Sequence, residues 1–254
     1  MTATAIATAR VPRRHGAGRI GSVVRLHFTN PTTLIVTPMI VLGAILLLNL
    51  AIWLIVVISS PGDRDFAEGF SYSGSSFWIF VYLAVVAIQA MNATFRLALG
   101  YGATRRDYYL GSALAFAALS VGYTAVLTVL GLIEKATNGW GLQGAMFTPV
   151  YFGPTWGDRI VVELCLFLFF LFAGSAFGAV FVRWRRNGLL IFGGILLAVL
   201  ALAGLAIALL QGWGALGSWL DGTPPWAMAL WGLVPTAVFG VVGFLVLRRA
   251  TPKS

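Results

Sequence analysis

The chain has 254 residues, of which 59% are hydrophobic and 10% are charged, and its formal net charge is +9 at pH 7. Long apolar stretches and short connections occupy this length, which excludes a soluble catalytic domain. A basic soluble protein would suggest a nucleic-acid partner, but here membrane orientation and anionic inner-leaflet lipids explain the charge, and we expect no nucleic acid.

The first 32 residues form a tail and one short helix. Residues 1–11 have little apolar content, and we expect disorder there. Over residues 16–29, four apolar residues recur at helical spacing on one face: Ile20, Val23, Val24 and Phe28. This pattern predicts an amphipathic helix in the cytoplasmic membrane interface, ended by Asn30 and Pro31.

Six apolar stretches follow, and each is long enough to cross about 30 Å of hydrocarbon as a helix. They cover residues 33–58, 77–99, 108–133, 160–182, 188–209 and 227–247. We therefore predict an all-α integral membrane protein with a six-helix transmembrane domain over residues 33–247 and a cytoplasmic tail over 248–254.

The basic residues alternate between the two sides of these stretches. Fourteen of the 17 lie before the first stretch, in or beside every second connection, and after the last stretch: Arg10, Arg13, Arg14, Arg19, Arg25, Arg96, Arg105, Arg106, Arg183, Arg185, Arg186, Arg248, Arg249 and Lys253. The other connections hold Arg64, Lys135 and Arg159, with seven of the eight acids and many tryptophans. The positive-inside rule and the aromatic belt then make both termini cytoplasmic.

Several kinds of chemistry are excluded by the sequence. The two histidines, His15 and His27, precede the first stretch, and the single cysteine, Cys165, allows no disulfide within the chain. No G-x-x-x-x-G-K-[ST] phosphate-binding loop is present. We predict no catalytic, cofactor or metal site in this chain, so ATP and Mg²⁺, if they are used, bind a partner subunit.

Polar residues inside the apolar stretches are the candidates for a substrate path. Gln89, Asn92 and Arg96 are spaced i, i+3, i+7 and share one helical face; Asn49 in the first stretch is a further candidate. The stripe is either one wall of a translocation cavity or a set of interhelical hydrogen bonds, with Arg96 extending to the inner headgroups.

Four further segments have local signatures. Thr104 and Asp107 form a Thr-x-x-Asp capping box, although Asp107 could instead contact a partner protein. Gly174 and Gly178 form a G-x-x-x-G motif, for which we favour packing within the chain over a subunit interface. Residues 134–158 form a long outer loop that we expect to pack at the interface, and residues 212–226 are either a re-entrant segment or an aromatic anchor.

Several of these segments, taken in order, resemble the permease subunits of bacterial ABC exporters with the six-helix type V fold. The segments are residues 29–38, 95–106, 134–141 and 183–188. The resemblance covers nearly the whole chain and implies a dimer of permeases, homodimeric or heterodimeric, with separate ABC ATPase subunits on the cytoplasmic side. The excess of Arg over Lys suggests a bacterial chain, and we expect it in the plasma membrane.

The resemblance also implies which residues receive the motion of the ATPase. They lie on the N-terminal helix and on the connection after the second stretch: Arg19, Arg25, Thr104, Arg105, Arg106 and Asp107. It implies export of an amphipathic or hydrophobic substrate along a path beside Gln89 and Asn92. The alternative is a membrane scaffold or assembly factor that docks a cytoplasmic partner through its arginine-rich face.

Overall fold

The computed structural model describes residues 16–59 and 66–250. The expected disorder at 1–11 and the last four residues of the C-terminal tail lie outside this part. The described part contains nine α-helices and no β-strand: α1 Gly16–His27, α2 Thr37–Ser59, α3 Phe66–Ser71, α4 Trp78–Gly100, α5 Arg105–Ala136, α6 Trp156–Leu209, α7 Trp213–Gly222, α8 Pro225–Trp231 and α9 Leu233–Arg248.

Five helical segments in the described part are long and apolar enough to cross a membrane. They are Thr32–Ser59, Gly69–Gly100, Arg105–Ala136, Trp156–Leu209 and Pro225–Arg248. The fold is therefore helical and consistent with a multi-pass membrane protein. The predicted number of six differs from this five because one long helix, α6, contains two of the predicted stretches.

The helix α6 has 54 residues, and a straight helix of that length would extend about 80 Å, far more than a bilayer core. It is interrupted at Arg185, whose φ of 59° and ψ of −151° are not helical. The next glycine, Gly188, packs on Trp184 so closely that a Cβ there would lie 2.2 Å from the Trp184 Cβ. The break divides α6 into residues 156–184 and 186–209, in agreement with the predicted connection.

The second residue of α2 is a proline, Pro38, and the turn that precedes this helix is not α-helical. Residues Thr32–Val36 form a π-helical turn, and Pro38 has no N–H to donate to the carbonyls that precede it. Two tyrosine hydroxyls donate to those carbonyls instead: Tyr82 to the Thr33 oxygen at 2.8 Å, and Tyr123 to the Leu34 oxygen. These bonds attach the start of α2 to α4 and α5.

The centre of the bundle is the contact between α4 and α6. A Cβ on Gly174 would lie 2.3 Å from the Ala84 oxygen, and one on Gly178 would lie 2.7 Å from the Met91 Cβ. The rings of Phe80 and Phe167 are 4.4 Å apart in the same contact. The G-x-x-x-G motif thus packs within the chain, as the sequence predicted.

The N-terminal helix α1 packs against α5. Val23 and His27 are buried, and a Cβ on Gly111 of α5 would lie 2.6 Å from the Val23 Cβ. The expected apolar face is therefore partly wrong: Phe28, which was placed on it, is exposed, and His27 takes the buried position. Helix α1 ends at His27, two residues earlier than expected, and its buried face contacts protein.

Candidate functional site

Four arginine-rich segments lie at one end of the bundle, which we call the arginine-rich end. Arg19 of α1 is 3.9 Å from the Asp107 carboxylate at the start of α5. Arg105 donates from Nη1 to the Arg248 carbonyl oxygen at 3.0 Å, which connects α5 to the end of α9. The turn at Arg185 belongs to the same end, because Trp184 and Val246 line one groove.

Thr104 begins helix α5 as its N-cap. Its Oγ1 accepts a hydrogen bond from the Asp107 backbone N–H at 3.1 Å, which confirms half of the predicted capping box. The Asp107 carboxylate faces Arg19 rather than the Thr104 N–H. A reciprocal capping box is found instead at the start of α6, between Thr155 and Asp158, where the sequence analysis did not expect one.

The remaining two arginines of the predicted coupling set, Arg25 and Arg106, are exposed. The structure thus brings Asp107 into contact with both Arg19 and Thr104 and leaves Arg25 and Arg106 on the surface. Such exposed charges govern association with a partner more than they govern folding.

The predicted polar stripe on α4 lies beside two cavities. Gln89 lines a cavity of about 180 Å³, together with His27 and Asn30 from the N-terminal segment. Arg96 lines an open depression of about 650 Å³ that ends at Gly100 and Tyr101, and Ala93 lines both. Asn92, which is half-buried, lines neither of them.

His27 contributes the titratable group of the smaller cavity. Its Nδ1 is 3.0 Å from the Val23 carbonyl oxygen, which can only accept, so Nδ1 carries the proton. Burial lowers the pKa of His27, against the effect of the Val23 hydrogen bond. The neutral ring packs edge-on against Phe116, with centroids 5.6 Å apart.

Asn49 is separated from the other path candidates. Its Nδ2 donates to the Ile45 oxygen at 2.8 Å, and its Oδ1 accepts from the Ser75 hydroxyl at 2.9 Å. Ser75 precedes Gln89 by fourteen positions, about 20 Å at 1.5 Å per residue. The amide of Asn49 therefore joins α2 to the segment before α4, at the end opposite the arginines.

A buried carboxylate that the sequence did not predict as a site lies at that opposite end. Glu134, which is 1% exposed, accepts hydrogen bonds from five donors. They are the Trp140 indole N–H, the backbone N–H groups of Met146, Phe147 and Thr148, and the Thr148 hydroxyl. An acid just before a glycine-rich loop was the available signal, but most of its partners lie 12 to 14 residues away.

The loop over residues 134–158 is therefore folded on the protein. Trp53 of α2 packs on Gly144, where a Cβ would lie 2.0 Å from the indole ring. Asn138, Trp140 and Gln143 have positive φ values, which turn the loop back towards the Glu134 carboxylate in the last turn of α5. The loop therefore contacts both α2 and α5.

This end also buries two ionisable side chains, Arg159 and Glu163, which lie one helical turn apart on α6. Arg159 donates to the Pro149 oxygen at 3.3 Å and lies 5.9 Å from the Trp156 ring centroid, with Lys135 on the same ring at 5.6 Å. The Arg159 Nε and one Glu163 oxygen have no hydrogen-bond partner among the described residues.

The described residues contain no group of three or more side chains that could hold a metal ion. Comparison of the chain with known protein families, curated proteins and solved structures finds no match.

Proposed function

We propose that this chain is the transmembrane permease subunit of an ATP-driven ABC exporter of the bacterial plasma membrane. In this proposal it spans the membrane six times with both termini in the cytoplasm, and it works as a homodimer or heterodimer with a second permease and two ATPase subunits. The substrate is an unidentified amphipathic or hydrophobic molecule.

The observation that supports this proposal is the set of contacts that joins three helices at the arginine-rich end. Helix α1 is fixed to α5 by the packing of Val23 on Gly111 and by the ion pair between Arg19 and Asp107. The same short connection is tied to α9 through Arg105. A displacement of this end would therefore move α1, α5 and α9 together. An external ATPase needs a docking site that transmits its motion to the helices in this way.

The chain needs such an external source of energy because its sequence has no phosphate-binding loop. Its intramembrane acids also argue against coupling to an ion gradient: Glu163 lies near the outer end of its stretch, and no acid lies at the middle of any stretch. The resemblance to type V permeases supports the same interpretation.

Co-purification and ATP turnover test the proposal. The complete chain should co-purify with a P-loop ATPase whose hydrolysis rate depends on it. Replacing exposed Arg106 with Glu should release the ATPase or uncouple its turnover, because charge inversion turns attraction to an acidic surface into repulsion. Arg249→Glu is the matched control, since Arg249 is also exposed at this end but lies outside the connection.

A scaffold would give a different result. It would also lose its partner in the Arg106→Glu variant, but ATP turnover by the partner would not depend on this chain. Unchanged assembly and turnover in Arg106→Glu would contradict a docking role for the connection after the second stretch.

Orientation is tested separately with an impermeant thiol reagent, after Cys165 is replaced by Ala. Cysteines at Gly100 and Gly214 suit this test because a Cβ at either position meets no atom within 4 Å. Gly214 should react in intact cells and Gly100 should not. Gly139 is a poor position, since a Cβ there would lie 2.3 Å from the Gly144 nitrogen. The reverse labelling would overturn the proposed topology.

A further inference from the structure

An apolar groove of about 470 Å³ opens at the arginine-rich end, between the two parts of α6 and α9. Its walls come from Val180 and Trp184 before the break, Ile191 and Ile195 after it, and Val242 and Val246 of α9. Of the residues that line it, only Asn187 has a polar side chain apart from the Trp184 indole. Its volume is within the range of about 300–1,000 Å³ that small-molecule sites have.

The sequence creates this groove through the break in α6. The non-helical backbone at Arg185 changes the direction of the chain, and Gly188 allows the second part to pass directly against Trp184. The rings of Phe177 and Phe192 meet with centroids 5.0 Å apart and hold the two parts together. The wedge between them is closed on one side by α9 and left open on the other.

The mouth of the groove is basic. The Arg183 guanidinium carbon lies 4.3 Å from the centroid of the Trp184 ring, so this charge sits on a residue that lines the groove. Arg186 is exposed one residue before Asn187, and Arg248 and Arg249 follow Val246 within one helical turn. The acids of the sequence lie in the other set of connections, apart from Asp107, which faces Arg19.

We propose that this groove binds an anionic phospholipid, with an acyl chain along the apolar walls and the phosphate at Arg183 and Arg186. Hydrocarbon matches the lining, and guanidinium groups favour phosphate oxygens because they can donate two parallel hydrogen bonds. Basic pockets between membrane helices on the cytoplasmic side recognise acidic headgroups in the same way. This site does not depend on the proposed transport function.

Trp184 reports directly on the occupant of the groove. The purified chain is reconstituted in phosphatidylcholine vesicles that contain an increasing fraction of a lipid with brominated acyl chains, either phosphatidylglycerol or phosphatidylcholine. Bromine quenches indole fluorescence on contact, and the difference between the wild-type chain and Trp184→Phe isolates the signal of Trp184. Brominated phosphatidylglycerol should quench this signal at lower concentration than brominated phosphatidylcholine.

Charge variants test the headgroup contact. Arg183→Gln with Arg186→Gln should weaken phosphatidylglycerol binding roughly 25-fold, from the affinity that one arginine adds near an anionic surface. Arg186→Gln alone should give about a fivefold loss, and it leaves the Arg183–Trp184 contact intact. Arg25→Gln with Arg106→Gln removes the same charge from exposed positions away from the groove and should preserve the selectivity.

Two results would overturn the proposal. Equal quenching of Trp184 by the two brominated lipids would mean that the groove takes bulk lipid without selecting a headgroup. An equal loss of selectivity in both double variants would mean that the arginine-rich end attracts anionic lipid only through its overall charge. Lipid retained by the purified chain, counted by native mass spectrometry, gives a second measurement if a variant quenches abnormally.

Discussion

Removing the Glu134 carboxylate gives the sharpest test of how the outer loop is held. In Glu134→Ala, the backbone N–H groups of Met146, Phe147 and Thr148 lose their acceptor inside a buried loop. Each buried donor that is left unsatisfied costs about 1–3 kcal/mol. The cavity beside Glu134, about 370 Å³ in volume, lets water reach some of these groups, so the lower end of that range applies.

The expected loss is therefore about 3 kcal/mol for Glu134→Ala. Glu134→Gln keeps the shape but turns one acceptor oxygen into a donor that faces other donors, and about 2 kcal/mol should be lost. In a chain of this size, 3 kcal/mol lowers the melting temperature by roughly 6–12 °C. Thermal unfolding in detergent measures the shift, and Asp221→Asn, an exposed acid on α7, is the control.

The order of melting temperatures among the variants tests whether the Glu134 carboxylate holds the loop. Ala should be least stable, Gln intermediate, and the Asp221 control close to the wild-type chain. If Glu134→Gln melts within about a degree of Asp221→Asn, the loop is not held by the carboxylate, and the five hydrogen bonds contribute little net stability.

Three further predictions concern packing, protonation and the polar stripe. Gly174→Ala should lose about 1–3 kcal/mol, because its Cβ meets the Ala84 carbonyl oxygen, whereas Gly204→Ala, with no atom within 4 Å, should be neutral or stabilising in the same melting experiment. Burial lowers the folded-state pKa of His27, so the unfolded chain binds the proton more tightly than the folded chain. The free energy of unfolding should therefore fall as the pH drops below about 6.5. This part of the pH dependence should disappear in His27→Phe. Replacing Gln89 and Asn92 with Leu should change substrate-stimulated ATP hydrolysis with little change in melting temperature. The reason is that neither amide forms a hydrogen bond with another residue in the described ranges 16–59 and 66–250. A stability loss of about 0.6 kcal/mol per lost bond, with an unchanged substrate response, would instead assign the two residues to helix packing.

Hydropathy and local spacing predicted the helices well because each depends on neighbouring residues. The apolar stretches, the break near Arg185, the Thr104 cap and the close approach at Gly174 all follow from residue types within a few positions of one another. The backbone of a membrane helix has few alternative conformations, because every backbone N–H and C=O group must form its hydrogen bond within the protein.

Contacts between distant segments were not predictable in the same way. Nothing near Asn49 identifies Ser75 as its partner, and nothing near Glu134 identifies residues 146–148. The tyrosines that donate to Thr33 and Leu34 are another example: Pro38 shows that carbonyls before it lack their helical partner, but not that Tyr82 and Tyr123 supply it. Such partners depend on how helices pack, which one sequence does not determine.

The position of the small cavity has a consequence for the proposed transporter. His27 lines it from α1, the helix whose Arg19 contacts Asp107, and Gln89 lines it from α4. Leu34, in the π-helical turn that precedes α2, lines the same cavity, so this turn also borders it. A displacement of α1 by a docked ATPase would therefore change the walls around Gln89 directly, through contacts of one or two helical turns. Coupling in this chain would then need no signal along the full length of the bundle, only a shift of α1 against α5 and of the turn that leads into α2.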